Sequence, residues 1–299
     1  MYYIVGKASY DKNGKFIDTN DMNLYWELGW ELMSNYPIIK RMYKNGDIQD
    51  DDIIVTRKGL EFLYTDTFKN VISFDLFKKI PGFENHLDYY LNPNKITNNV
   101  KEIMPHGFNM RNNPAYHINN DAANGKYLFF EEDRDILTNI DLIDTTKLHN
   151  NEKFAIMCVR RRNHNNELAK RNQDEIFTIE TLEYLKLKYK TIFILGNDCE
   201  VYESDNIKII NFQEYASLIN NDNCDIVVST LTAYYFLSLY ISNAKSFIVV
   251  DFGDHNFINL RNDICGLANS FKYSNSCYKY IHHKNLNKNN DIFTIDSEI

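Results

Sequence analysis

Glycine is scarce in this chain, 11 residues in 299, and no two of them form a G-x-G pair. That absence excludes the glycine-rich turn through which many dinucleotide folds bring backbone up to a pyrophosphate. There is no G-K-[ST], which excludes a P-loop, and the H-E-x-x-H and G-x-S-x-G signatures of zinc peptidases and serine hydrolases are missing. The five cysteines, Cys158, Cys199, Cys224, Cys265 and Cys277, are odd in number and include no C-x-x-C. They argue against a disulfide framework or a structural zinc site and are expected to be buried free thiols in a reducing compartment. Positive charge is in deficit, with 33 Lys and Arg against 41 Asp and Glu, a net charge of −8. Such a chain repels a nucleic-acid backbone, and its one basic patch, at 160–171, is short, so no nucleic-acid partner is expected. Long apolar runs are also missing. The first residues carry no leader pattern, and the most apolar stretch, 231–250, is interrupted by Ser242-Asn243-Ala244-Lys245. No membrane span is expected, and the location expected is cytoplasmic.

What the chain does have is apolar content, 44% with 14% aromatic, enough for real cores. Its prolines (Pro37, Pro81, Pro93, Pro105 and Pro114) all lie in the first 114 residues. Beyond them, short runs rich in β-branched residues at 154–159, 191–195, 207–210, 225–228 and 246–250 read as buried parallel strands. Ile176, Ile179, Leu182, Leu185 and Tyr189 predict a helix between the first two, and further helices are expected at 214–219 and 232–241. The first half repeats the pattern more faintly, with strands at 2–5, 52–56, 71–74 and 127–130, helices at 23–34 and 58–67, and an irregular stretch at 75–126. Strands alternating with helices predict right-handed βαβ units. The fold class expected is therefore α/β, with two Rossmann-like domains, 1–147 and 148–299, a polar linker at 144–153 and an interdomain cleft.

With no glycine loop, any phosphate bound here must be met by side chains and helix N-termini. The run Phe154-Ala155-Ile156-Met157-Cys158-Val159 leads straight into Arg160-Arg161-Arg162, so the guanidiniums emerge at the carboxyl end of a strand, where this architecture binds ligands. Each charge-assisted contact to a phosphate there is worth roughly 1.5–3 kcal/mol. The alternative is a solvated basic loop neutralising Glu167, Asp174 and Glu175. Two more strand ends carry polar groups. The run 191–195 is followed by Gly196-Asn197-Asp198, and 225–228 by Ser229-Thr230-Leu231-Thr232 at a helix start, where hydroxyls cap and backbone N–H groups receive anions. Taken alone, Asp198 is more often a turn residue, and Ser229 or Thr230 more often an N-cap.

The order strand–R-R, strand–acidic turn, strand–Ser/Thr-rich helix start resembles the three donor-site motifs of the α1,2/α1,6-fucosyltransferase superfamily. The first family motif, H-x-R-R-x-D, falls on Cys158 to Asn163, where the paired arginines Arg160 and Arg161 stand but the His and Asp do not. The second falls on Phe193 to Asp198, and the third on Ser229-Thr230-Leu231-Thr232-Ala233-Tyr234-Tyr235. The resemblance spans roughly residues 150–252. It implies the two-domain GT-B fold, with an acceptor-side first half and a donor-binding second half. It also implies transfer of a sugar from a nucleotide-diphosphate donor to a glycan acceptor, metal-free and inverting, with no cofactor. GDP-fucose or another GDP-sugar is favoured, and a UDP-sugar is compatible. By the same resemblance Arg160 holds the β-phosphate with Arg161 beside it, Asp198 bonds the base, and Ser229, Thr230 and Thr232 line the phosphates.

Such a reaction gathers negative charge on the leaving diphosphate and needs a base near the acceptor hydroxyl. Asp21 is the candidate base, also readable as a helix N-cap; His106 and Glu27 are others. A second enzymatic reading uses Asp133 and Asp135, a D-x-D after the run 127–130 that is suited to Mg²⁺ or Mn²⁺, or else the first turn of a helix. A third is a non-catalytic carbohydrate-binding protein on the same fold, with Tyr89, Tyr90 and Tyr116 as stacking surfaces.

Overall fold

The computed structural model describes residues 2–5, 32, 36–73, 76, 100–103, 133–160, 172–230, 232–252 and 273–282. The chain divides into two compact units, Met1–Leu142 and Ile143–Ile299. Both are α/β with parallel sheets, and no helix among the described residues is long and apolar enough to cross a membrane.

In the first unit, β1 (Tyr2–Val5), β2 (Ile53–Thr56), β3 (Asn70–Ser73) and β4 (Val100–Ile103) form a parallel sheet in the order β3-β2-β1-β4. The β-branched run of β2 makes it a natural inner strand, and Ile54, Val55 and Thr56 are fully buried. Helix α1 (Tyr36–Lys44) holds Pro37 in its first turn, where a backbone N–H has no helical partner to lose. Its buried face carries Tyr36, Ile39 and, unusually, Lys40. Lys40 Nζ donates to Asp66 at 2.9 Å, to Thr67 Oγ1 at 2.6 Å and to the Asn139 carbonyl at 3.0 Å. Tyr36 Oη donates to the Leu137 carbonyl at 2.9 Å, at the end of α2 (Arg134–Leu137). Burial brings the Lys40 ammonium down to about pKa 8, with the Asp66 carboxylate pulling the other way.

The second unit contains α3 (Thr146–His149), β5 (Phe154–Cys158), α4 (Glu175–Lys188), β6 (Ile192–Leu195), β7 (Ile207–Ile209), α5 (Phe212–Ile219), β8 (Cys224–Thr230), α6 (Ala233–Ile241), β9 (Ser246–Asp251) and β10 (Cys277–His282). Its six strands are all parallel, in the order β10-β9-β8-β5-β6-β7. The first strand of the unit lies at the centre and the order reverses beside it, as in a Rossmann-like doubly wound sheet. Alternation along the strands sends Ala155, Met157, Ile192, Ile194, Ile226 and Val228 into one core with Leu182, Leu185 and Tyr189 of α4. Residues of opposite parity serve the other face, where Phe154 meets Phe193 and Phe247 meets Tyr235 of α6. Helices therefore cover both faces, and β5, buried at all five positions, is a central strand.

Several expectations change. The α4 stripe is rotated, because Ile176 and Ile179 are 66% and 46% exposed and the buried face runs Thr178, Thr181, Leu182, Leu185. The phase is set at the helix start, where Asp174 caps Ile176 N–H (2.7 Å) and Gln173 holds Thr178 Oγ1 (3.0 Å). The helix expected at 58–67 is only a 3₁₀ turn, Glu61–Leu63, preceded by Gly59 in a left-handed conformation (φ 86°) that a helix cannot continue through. The polar linker expected at 144–153 is folded, forming α3 and packing on the second unit. Cys277 is exposed, whereas Cys158, Cys199 and Cys224 are buried free thiols as expected. The strand expected at 127–130 and the helix at 23–34, Leu32 apart, lie outside the described residues.

Candidate functional site

The three polar strand ends belong to adjacent strands, β6, β5 and β8, and pairing aligns them. Cys158 stands opposite Leu195 on one side and Ser229 on the other. The strand order reverses between β5 and β8, and their carboxyl ends flank the crevice such a reversal opens.

Val159 extends β5 by one bond, its N–H donating to the Leu195 carbonyl at 2.7 Å. Arg160 follows and is buried, 8% exposed. Its carbonyl accepts the Gln173 N–H at 3.0 Å, so the chain leaves the strand end at Arg160 and returns to it at Gln173. Arg161 lies between these two points, outside the described residues.

On the β6 side, Gly196 is required by contact. A Cβ built there would sit 2.3 Å from the Val159 carbonyl oxygen, and φ is 156°. The tight turn that follows puts Asp198 in a left-handed conformation (φ 55°) with its side chain exposed at the rim. That placement suits a turn residue and leaves the carboxylate accessible to a ligand.

On the β8 side, Ser229 and Thr230 are strand residues, 1% and 3% exposed, rather than helix caps. Ser229 Oγ donates to the Thr230 carbonyl at 2.9 Å. Thr230 Oγ1 is buried with no hydrogen-bond partner among the described residues, an arrangement that leaves a donor and an acceptor to be satisfied. Thr232 takes the N-cap position of α6, yet its hydroxyl donates to the Thr230 carbonyl at 3.3 Å instead of capping the helix. The first turn of α6 thus begins beside Thr230 without a side-chain cap, with the positive end of its dipole at the crevice.

Behind the crevice, Cys158 is fully buried. Burial pushes its thiol up to about 12, with the hydroxyls of Ser229 and Tyr215 acting against that rise. Tyr215 Oη donates to the Tyr234 carbonyl at 2.9 Å, tying α5 to the start of α6. Gln173, which closes the Arg160 connection, and Tyr215 were not anticipated. A Gln directly before an N-capping Asp was the available signal for the first, and nothing in the sequence marked the second.

Asp21, with the alternative bases His106 and Glu27, lies outside the described residues, as do Tyr89, Tyr90 and Tyr116. Asp133 and Asp135 are at the N-cap and in the first turn of α2. Asp133 is buried against the Arg41 guanidinium, with Lys44 Nζ at 3.8 Å, and Asp135 is 3.4 Å from the same Lys44. The first unit also carries a shallow hollow of about 530 Å³ lined by Tyr43, Lys44, Ile48, Asp50 and Asp51, which holds none of the candidate residues. Comparison with family models, with curated proteins and with solved structures finds no match to this chain.

Proposed function

We propose that the chain is a metal-independent glycosyltransferase of GT-B type, in which the second Rossmann-like unit binds a nucleotide-diphosphate sugar and the first serves a glycan acceptor. The observation that carries the reading is the reversal of strand order between β5 and β8, with Arg160, the unsatisfied Thr230 hydroxyl and the uncapped start of α6 all at that point. A guanidinium and a helix N-terminus supply counter-charge to a diphosphate without a glycine loop. As the glycosidic bond to the donor breaks, negative charge grows on the β-phosphate oxygens, and groups already fixed by the fold stabilise it without reorganising. Arg160 and Thr230 act on that leaving group, and Arg161 adds charge from the connection that follows. Asp198 hydrogen-bonds the base or ribose. Asp21 takes the proton of the acceptor hydroxyl as its oxygen bonds to the anomeric carbon on the face opposite the departing diphosphate, and that single displacement inverts the sugar. A GDP-sugar is the favoured donor. The ion pairs of Asp133 and Asp135 support keeping the D-x-D out of this mechanism.

Thermal unfolding with GDP, UDP, CDP and dTDP tests the reading. One diphosphate is expected to stabilise the protein, by about 2.7 kcal/mol at a hundredfold excess over Kd. Arg160→Ala removes the effect, and Arg160→Lys, which keeps the charge but loses the fork, restores part of it. Stabilisation unchanged in Arg160→Ala rejects the assigned site. Transfer from a panel of nucleotide sugars that persists in EDTA supports the metal-free enzyme. Binding of sugar but of no nucleotide points instead to a carbohydrate-binding protein.

A further inference from the structure

The segment 143–153, which opens the second unit, is fastened to that unit at five points, the first being the Lys153 ammonium 3.0 Å from Asp225 of β8. Ile143 N–H donates to Ser217 Oγ of α5 at 2.9 Å, and Lys208 Nζ of β7 donates to the Leu148 carbonyl at 2.9 Å. Glu152 pairs with Lys190 at 2.6 Å, and His149 meets Asn221 of the turn that leads into β8. Only the last contact involves a side chain whose ordinary titration falls between pH 5 and 8.

The geometry of that contact fixes its protonation state. His149 is 1% exposed, its ring 4.9 Å from that of Phe154, and its Nε2 lies 3.3 Å from Asn221 Nδ2. The Asn221 amide is oriented from its other end, because Oδ1 accepts the Asn223 N–H at 2.9 Å. Its NH₂ therefore faces the imidazole, and an NH₂ can only donate. Nε2 must offer a lone pair, which makes His149 neutral with its proton on Nδ1. The ring is buried and no bond within normal hydrogen-bond limits reaches Nδ1 among the described residues, the Glu152 backbone acting on it only weakly, so a charged ring loses more hydration than its neighbours restore. A second proton, placed on Nε2, would set N–H against N–H. Turning the amide to relieve this would break the Asn223 bond.

We propose that His149 is an acid-sensitive latch: as the neutral imidazole it holds segment 143–153 to the turn before β8, and protonation of Nε2 releases the segment. The charged groups bearing on the ring come from both sides. Burial lowers its pKa below 6.5, the Asp144 carboxylate and the Glu152 backbone oppose that, and the Lys208 ammonium adds to it. The sign follows from linkage. The released state takes up the proton at a higher pH than the fastened one, so fastening is complete above 6.5 and weakens as pH falls below it. Segment 143–153 follows directly on the first unit, so its release adds slack to the covalent connection between the units.

Hydrogen exchange on the full chain from pH 7.5 to 5, corrected for intrinsic exchange, tests the latch. The amides of Ile143, Asn150 and Glu152 report it, since they donate to Ser217, Thr146 and His149 respectively. Their protection is expected to fall about tenfold for each unit by which the two states differ in pKa. The midpoint should lie below 6.5 and coincide with the imidazole titration of His149 read by NMR. His149→Gln keeps an acceptor for Asn221 but does not titrate, and its profile should be flat. Unchanged protection in the natural protein overturns the proposal, as does an equal fall in His149→Gln or a midpoint near pH 4 that belongs to carboxylates. Should the variant not fold, agreement between the NMR titration and the exchange midpoint decides, and a mismatch rejects the latch.

Discussion

The first unit builds its sheet, β3-β2-β1-β4, from four-residue strands; the second embeds the same order as β7-β6-β5-β8 and adds β9 and β10 beyond it. The two differ in how they treat buried polar groups. In the first, Lys40 is enclosed with Asp66, Thr67 and Asn139, and Asp133 with Arg41, so that charge meets charge within the core. In the second, buried hydroxyls such as Thr178, Thr181 and Ser238 lie on the helices, and the buried cation Arg160 lies at a strand end with Ser229 and Thr230 on the strand beside it. Buried charge in the first unit is paired within the core, whereas Arg160 of the second unit stands where the strand order reverses. That contrast makes Arg160 a better functional candidate than the acids of the D-x-D.

The largest way to break the contrast is Lys40→Met. If the Lys40 cluster is structural, the variant leaves Asp66 buried without its cation and destabilises the first unit by about 3–5 kcal/mol, read as lost exchange protection in α1. Combining it with Asp66→Leu should recover most of that loss; failure to recover would mean that Lys40 does more than pair. The same cluster has a pH signature. The folded lysine releases its proton near pH 8 and the unfolded one near 10.5, so the first unit gains stability as pH rises between those values. A denaturant midpoint that falls over this range contradicts the burial argument. Next in size, Gly196→Ala forces a Cβ onto the Val159 carbonyl and is expected to cost the second unit about 2–4 kcal/mol, measured by denaturant unfolding. The smallest change tests ordinary scaffold. Asn211 and Glu214 form a capping box at the start of α5, and Asn211→Ala should lose about 1 kcal/mol without altering ligand response.

Much of the second sheet was legible because β5 and β6 are apolar throughout and β8 and β9 are apolar at their centres, and burial on both faces demands that composition. The runs missed are of another kind. In β4, Val100-Lys101-Glu102-Ile103 has charges at its centre, and the edge strand β10, Cys277-Tyr278-Lys279-Tyr280-Ile281-His282, alternates rather than clusters. Helix α1 was hidden by Pro37, which reads as a breaker until it is seen in a first turn. The rotation of α4 was hidden because Ile176 and Ile179 mimic a buried stripe while Thr178 and Thr181 occupy it. At the site, Arg160 and the alignment of three strand ends followed from strand logic alone. The orphaned Thr230 hydroxyl and the Gln173 closure did not, since both depend on contacts between residues distant in sequence.

The bond between Arg160 and Gln173 has an evolutionary corollary. Because the chain departs from and rejoins the sheet through one doorway, the stretch 161–172 is a cassette whose length and composition can be exchanged while β5 and α4 keep their register. Change in that stretch then leaves the scaffold of the second unit intact.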